Sequence, residues 1–145
     1  MKPGEEIGLS RWFTIDQPRI DAFARVTEDE QFVHVDAVRA AEGPFGGTVA
    51  HGFLTLSMLS AMAYDALPDV AGSVASVNYG FDRIRFLSPV PSGARLRGRF
   101  TLEETREAAV YRDLILAVTV EIEGADRPAL AARWIIRHLI GATAA

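Results

Sequence analysis

The stretch "HGFLTLSMLSAMAYDA", residues 51–66, decides the fold. It has no proline, and no glycine beyond Gly52, so nothing in it breaks a helix. Phe53, Leu54, Leu56, Met58, Leu59, Met62 and Ala63 cover nearly the whole circumference of that helix. A helix apolar on all sides is expected to be buried. With Ser57, Ser60 and Asp65 in it, the stretch is too short and too polar to span a bilayer.

Beyond this helix the apolar period changes from helical to two. In "ARLRGRFTL" (94–102), Leu96, Gly98, Phe100 and Leu102 alternate with Arg95, Arg97, Arg99 and Thr101. In "VYRDLILAVTVEI" (110–122), Val110, Leu114, Leu116, Val118, Val120 and Ile122 share one face. In "LAARWIIRHLI" (130–140), Leu130, Ala132, Trp134, Ile136, His138 and Ile140 do the same. Short polar turns between these strands predict an antiparallel meander. "GSVASVNYG" (72–80) and "DRIRFLSPV" (82–90) add strand material before it.

On the N-terminal side, "SRWFTI" (10–15) reads as a short strand. Asp16 is a candidate N-cap, and Pro18 sits in the first turn of a helix expected over 17–26. One buried helix and one long antiparallel sheet pack most economically with the sheet curled around the helix. The expected class is therefore α+β with hot-dog architecture, as a single domain over 1–145. A sheet of this kind leaves an edge or open face, so a homodimer is expected.

Composition narrows the function. A net charge of −4 gives no global attraction to nucleic acid or anionic membranes. The chain has no cysteine, which excludes a disulfide scaffold, a thiolate nucleophile and cysteine-ligated metal. "MKPGEEIGLSRWF" lacks the apolar core of a secretory signal, so a cytoplasmic protein is expected.

The chemistry concentrates in "EDEQFVHVDAVRAAEGPFGGTVAHGFLTLS" (28–57), which holds two of the three histidines. Asp29 and His34 are five residues apart; on one helix they would point about 140° from each other. They can meet only if the chain between them turns. A carboxylate and an imidazole that converge can share a water, one taking a proton and the other delivering one. On spacing alone the pair reads as a solvated loop acid and a partly buried histidine, because such pairs arise by chance. Gly43, Gly46 and Gly47 shape a tight loop or let a ligand approach the backbone. The first N–H groups of the following helix, near Gly52, have no intrahelical partner and carry the positive end of its dipole. They could receive the negative charge that develops on a thioester oxygen. Equally, Gly52 could simply permit close packing.

Taken together, "EDEQFVHVD…AEGPFGGTVAHGFLTLSMLS" resembles the MaoC-like (R)-specific enoyl-CoA hydratases, in the branch of nodulation protein N-like members. Weaker similarity extends through "VNYGFDRIRFLSPVPSGARL". The resemblance implies that Asp29 and His34 are the catalytic pair and that the Gly52 N–H belongs to an oxyanion hole. It implies that Ser60 supports the site and that residues 36–50 form an overhang above an acyl pocket. Family members often carry Asn-Pro between the acid and the histidine. Gln31 and Phe32 stand there here, so Gln31 would have to support the pair with a longer arm. The implied reaction is hydration of trans-2-enoyl-CoA to (R)-3-hydroxyacyl-CoA, with no metal and no cofactor beyond the coenzyme A of the substrate.

Arg83, Arg85, Arg95, Arg97 and Arg99 form the one basic stretch. Arg83 and Arg85 lie in the family-like segment and are the candidates to hold coenzyme A phosphates. Alternation in "ARLRGR" makes the other three the solvent face of a strand. His51 could line the site, but a residue there more often caps or packs, and His138 on its strand reads as structural. No histidine–acid cluster has metal-ligand spacing, and no serine sits in a G-x-S-x-G elbow. Two rival functions remain. One is an acyl-CoA thioesterase on the same fold, for which the helix offers only Asp65. The other is a non-catalytic acyl-thioester-binding or dehydratase partner subunit.

Overall fold

The computed structural model describes residues 1–141. The last four residues of the domain expected over 1–145 lie outside them. Six strands form one antiparallel sheet: β1 (Glu6–Leu9), β2 (Phe13–Ile15), β3 (Ser73–Phe86), β4 (Ala94–Glu107), β5 (Tyr111–Ile122) and β6 (Leu130–Ile140). The order is β1-β4-β5-β6-β3, with β2 also paired to β4. The expected meander is present as β4, β5 and β6. Leu96, Phe100 and Leu102 of β4, Leu114, Leu116 and Val120 of β5, and Leu130 of β6 are all fully buried, as their alternation requires.

Four points differ from the sequence reading. β1 is an additional strand, paired to β4 through Gly8 and Leu9. A Cβ at Gly8 would lie 2.6 Å from the Ala66 carbonyl, so the close approach of β1 to the helix end depends on glycine. The two strand pieces around 72–90 are one continuous strand, β3, with register shifts near Asn78–Gly80 and Phe81–Arg83. The central helix is interrupted at Met58, giving α4 (Gly52–Ser57) and α5 (Leu59–Ala66). Nor is that helix covered on every side. Leu54, Thr55, Leu59, Met62 and Ala63 are buried against the sheet, whereas Phe53 and Tyr64 are 66% and 79% exposed. Hydrophobicity on all faces therefore marks two surfaces, one covered by this sheet and one open in the single chain.

The helix seats closely over β4. A Cβ at Gly98 would meet the Phe100 ring at 3.0 Å and Met62 Sδ at 3.1 Å. Ahead of it, α1 (Gln17–Thr27) begins as expected: Asp16 accepts a hydrogen bond from the Arg19 N–H at 3.0 Å, with Pro18 in the first turn. Two short helices follow, α2 (Phe32–Val35) and α3 (Ala37–Ala41), the latter capped by Asp36. No helix among the described residues is long and apolar enough to cross a membrane.

Candidate active site

The objection that Asp29 and His34 diverge is removed by the backbone at the end of α1. Glu28 adopts a left-handed conformation (φ 60°) and closes the helix, and the Asp29 N–H bonds back to the Ala24 carbonyl at 3.1 Å. That reversal releases Asp29 into the open just as α2 begins. α2 is a single turn, and it brings His34 round to the same side. A carboxylate oxygen of Asp29 and one ring nitrogen each of His34 and His51 all lie within 4.8 Å of one another. A water with hydrogen bonds of about 2.8 Å to two acceptors spans about 4.6 Å at a tetrahedral angle, so groups gathered within this limit are close enough to share one.

The orientation of His34 is fixed. Its Nδ1 lies 2.7 Å from the Val49 carbonyl, which can only accept, so Nδ1 carries a proton and, in the neutral ring, Nε2 is the nitrogen with the lone pair. Gln17, on α1, holds the surrounding chain. Its side-chain amide donates to the His34 carbonyl at 2.7 Å and to Asp21 at 2.8 Å, and its oxygen accepts from the Thr48 hydroxyl at 2.8 Å. The Val49 N–H bonds the Val33 carbonyl, and the Ala50 N–H bonds Val90. The helix-turn segment, the glycine loop and the connection between β3 and β4 are thus stitched together around the imidazole.

His34 opens onto a cavity of about 550 Å³. Its walls include Phe45, Val49, Ala50, Thr55 and Phe86, and Gly52 at the head of α4. Gly52 and Phe53 occupy the first positions of α4, where no intrahelical carbonyl is available to their N–H groups. The packing role also holds: a Cβ at Gly52 would come within 3.0 Å of the Phe86 ring. Pro44 and Phe45 of the glycine loop line the cavity, so part of the segment expected to form an overhang borders it.

The other candidates are placed as follows. Gln31 lines the cavity but caps α2 without a side-chain hydrogen bond. Ser60 is not brought to the pair: eight residues beyond Gly52, it lies about 12 Å further along the helix axis. There it lines a separate small cleft with Asn78 and Trp134, and the buried Thr55 is the helix hydroxyl that reaches the cavity. Arg83 and Arg85 are exposed on β3, next to the cavity residue Phe86, and neither makes an ion pair among the described residues. Arg95, Arg97 and Arg99 pair with Glu123, Glu121 and Glu6 on the sheet surface, as a solvent face should. Asp65 accepts the Arg11 N–H at 2.7 Å at the far end of the helix and is absent from the cavity wall. Asp29, His34 and His51 have the donor types of a metal site. Yet the two imidazoles stack face to face, 3.7 Å between centroids and 21° between planes, so their lone pairs lie in two nearly parallel, offset planes, a poor arrangement for meeting at one ion.

One residue escaped the sequence reading: Gln17, the first residue of α1, has no local signal for a clamp. His51, expected to cap or pack, makes no capping bond but is buried and packed against His34 and Phe23.

The model of the MaoC like domain matches residues 1–123. The chain belongs to the MaoC-like dehydratase family. It is 54% identical to nodulation protein N of Rhizobium leguminosarum bv. viciae over 134 residues, covering 91% of this chain and 83% of that protein. It is 41% identical to 3-hydroxyacyl-thioester dehydratase Z of Mycobacterium tuberculosis over 139 residues, covering 94% and 90%. Among solved structures it is similar to an R-hydratase from Pseudomonas aeruginosa in the unliganded form, at 23% identity and a TM-score of 0.77, covering 100% of this chain and 90% of that one. That likeness establishes the hot-dog fold.

Proposed function

We propose that this MaoC-like protein is an (R)-specific enoyl-CoA hydratase that adds water in the syn sense to trans-2-enoyl-CoA. The observation that carries the proposal is the convergence of Asp29 with His34, which itself lines an apolar cavity that Gly52 helps to wall. Water donates one hydrogen to the Asp29 carboxylate and the other to His34 Nε2, leaving an oxygen lone pair for the substrate. As one of the pair takes a proton, the water oxygen bonds to C3. The C2–C3 π electrons move toward the thioester, and the resulting oxyanion accepts from the Gly52 N–H. The pair then returns a proton to C2, on the face that received the hydroxyl. The relative named 3-hydroxyacyl-thioester dehydratase Z supports this reading, because dehydration is the same chemistry in reverse.

No metal and no cofactor enter this scheme. In this proposal Arg83 and Arg85, exposed on β3 without an ion-pair partner among the described residues, would hold the coenzyme A phosphates. The protein acts as a cytoplasmic homodimer in this proposal. β3 is the free edge of the sheet, 14 residues long, and exposes Val74, Val77 and Tyr79 beside the open face of the central helix.

An ultraviolet assay with crotonyl-CoA and longer trans-2-enoyl-CoAs tests the proposal. Loss of conjugation with formation of (R)-3-hydroxyacyl-CoA supports it. Release of free thiol without hydration would establish a thioesterase instead. Tight binding of acyl-CoA without turnover would establish a binding subunit.

A further inference from the structure

His51 stands at the head of α4 and is 2% exposed. Its Nε2 lies 2.9 Å from the Asp29 carbonyl, so the Nε2–H donates to the main chain of the proposed acid. Its ring stacks on His34 at 3.7 Å and packs against Phe23 at 4.9 Å. Its Nδ1 is buried and has no hydrogen-bond partner. An unpartnered buried polar atom weakens a fold, and an apolar ring of similar size would fill this space without it. Packing alone therefore does not account for a histidine here.

From these contacts we propose that His51 is a positioning residue that sets the Asp29–His34 pair, an inference that rests on the hydratase reading of that pair. One edge of the imidazole fixes the turn from which Asp29 projects. Its face backs the His34 ring, so that the Nδ1–H stays on the Val49 carbonyl and Nε2 stays aimed at the water. Asp29 and His34 come from separate segments, the end of α1 and α2. The His51 side chain touches both, the Asp29 segment through its carbonyl and His34 through its ring. Because it immediately precedes α4, it also refers both to Gly52, its neighbour and the proposed oxyanion donor. Displacements of about 1 Å in such an arrangement cost up to about 10²-fold in rate.

The test compares H51F and H51A with the wild type, using crotonyl-CoA kinetics, thermal unfolding and nitrogen NMR of histidine-labelled protein. H51F keeps a ring against His34 but loses the tie to Asp29. It is expected to unfold no more than a few degrees below the wild type, with kcat about tenfold lower and KM within about twofold. H51A is expected to lose about 10- to 100-fold in kcat, the scale on which misplacement of reacting groups by about 1 Å acts. In H51A the His34 NMR signature should change from a protonated Nδ1 with a bare Nε2 to an average of tautomers. H51F that retains the wild-type kcat, or H51A that retains the His34 signature, would overturn the proposal. If H51A fails to fold, H51F decides, since it preserves the ring volume. If the wild type hydrates no enoyl-CoA, the hydratase reading fails separately, and the NMR comparison still decides whether His51 orients His34.

Discussion

Replacing Gln17 by alanine tests how the site is held. Gln17 makes one local bond, to Asp21, and two bonds that join segments far apart in sequence, to the His34 carbonyl and the Thr48 hydroxyl. A local side-chain pair on a helix contributes about 0.2–0.5 kcal/mol. Each of the two longer-range bonds contributes about 0.5–1.5 kcal/mol net. Q17A is thus expected to lose about 1.2–3.5 kcal/mol. With a urea m-value of about 2 kcal/mol/M, the unfolding midpoint should fall by about 0.6–1.8 M. Protein concentration must be held fixed, because association would add to apparent stability. The same change releases the carbonyl of His34, so hydration of crotonyl-CoA should slow by about tenfold. Q17E should be worse than Q17A, because it loses both donated bonds and sets a carboxylate against Asp21 and a carbonyl. A midpoint within 0.2 M of the wild type for both variants would refute the clamp. Q17E performing as well as the wild type would refute the assigned amide orientation.

Three further outcomes are expected. G52A keeps its N–H but pushes the Phe86 ring, which lies 3.0 Å from the new Cβ; kcat/KM should fall by about tenfold, and F86A in the same chain should restore part of it. Val77→Lys, on the exposed face of edge strand β3, should convert a dimer into monomers by analytical ultracentrifugation. His138 is held below its ordinary pKa by burial first and then by the charge of Arg112. Its contribution is fully present above the unfolded value of about 6.5 and is lost as pH falls through the lower folded value, so stability should decline on acidification below about pH 6.5. H138Q should show a smaller difference in melting temperature between pH 7.5 and pH 5.5 than the wild type.

What could be read in the sequence follows from where each signal lies. β4 and β5 were legible because Leu96 to Leu102 and Leu114 to Val120 alternate over enough residues for the period to be unmistakable. β1 was not: it is four residues long, and it owes its place to Gly8 lying against the Ala66 carbonyl, a contact between segments nearly sixty residues apart. The central helix was legible as a helix, but Phe53 and Tyr64 show that an all-round apolar pattern does not tell which surface covers which face. The pairing of Asp29 with His34 followed only from the family resemblance. Their convergence depends on a left-handed Glu28, and glutamate carries no sequence signal for that conformation. Gln17 and His51 act on partners 17 to 31 residues away, and no local pattern encodes such contacts.

The most direct test of the account measures crotonyl-CoA hydration by D29N, H34A and the double variant, each confirmed to be folded. Each single change should lower kcat by about 10² or more. Because the two groups handle one water together, the double variant should fall little further than the worse single one. Near-wild-type turnover in either single variant would contradict the assignment of Asp29 and His34 as the catalytic pair.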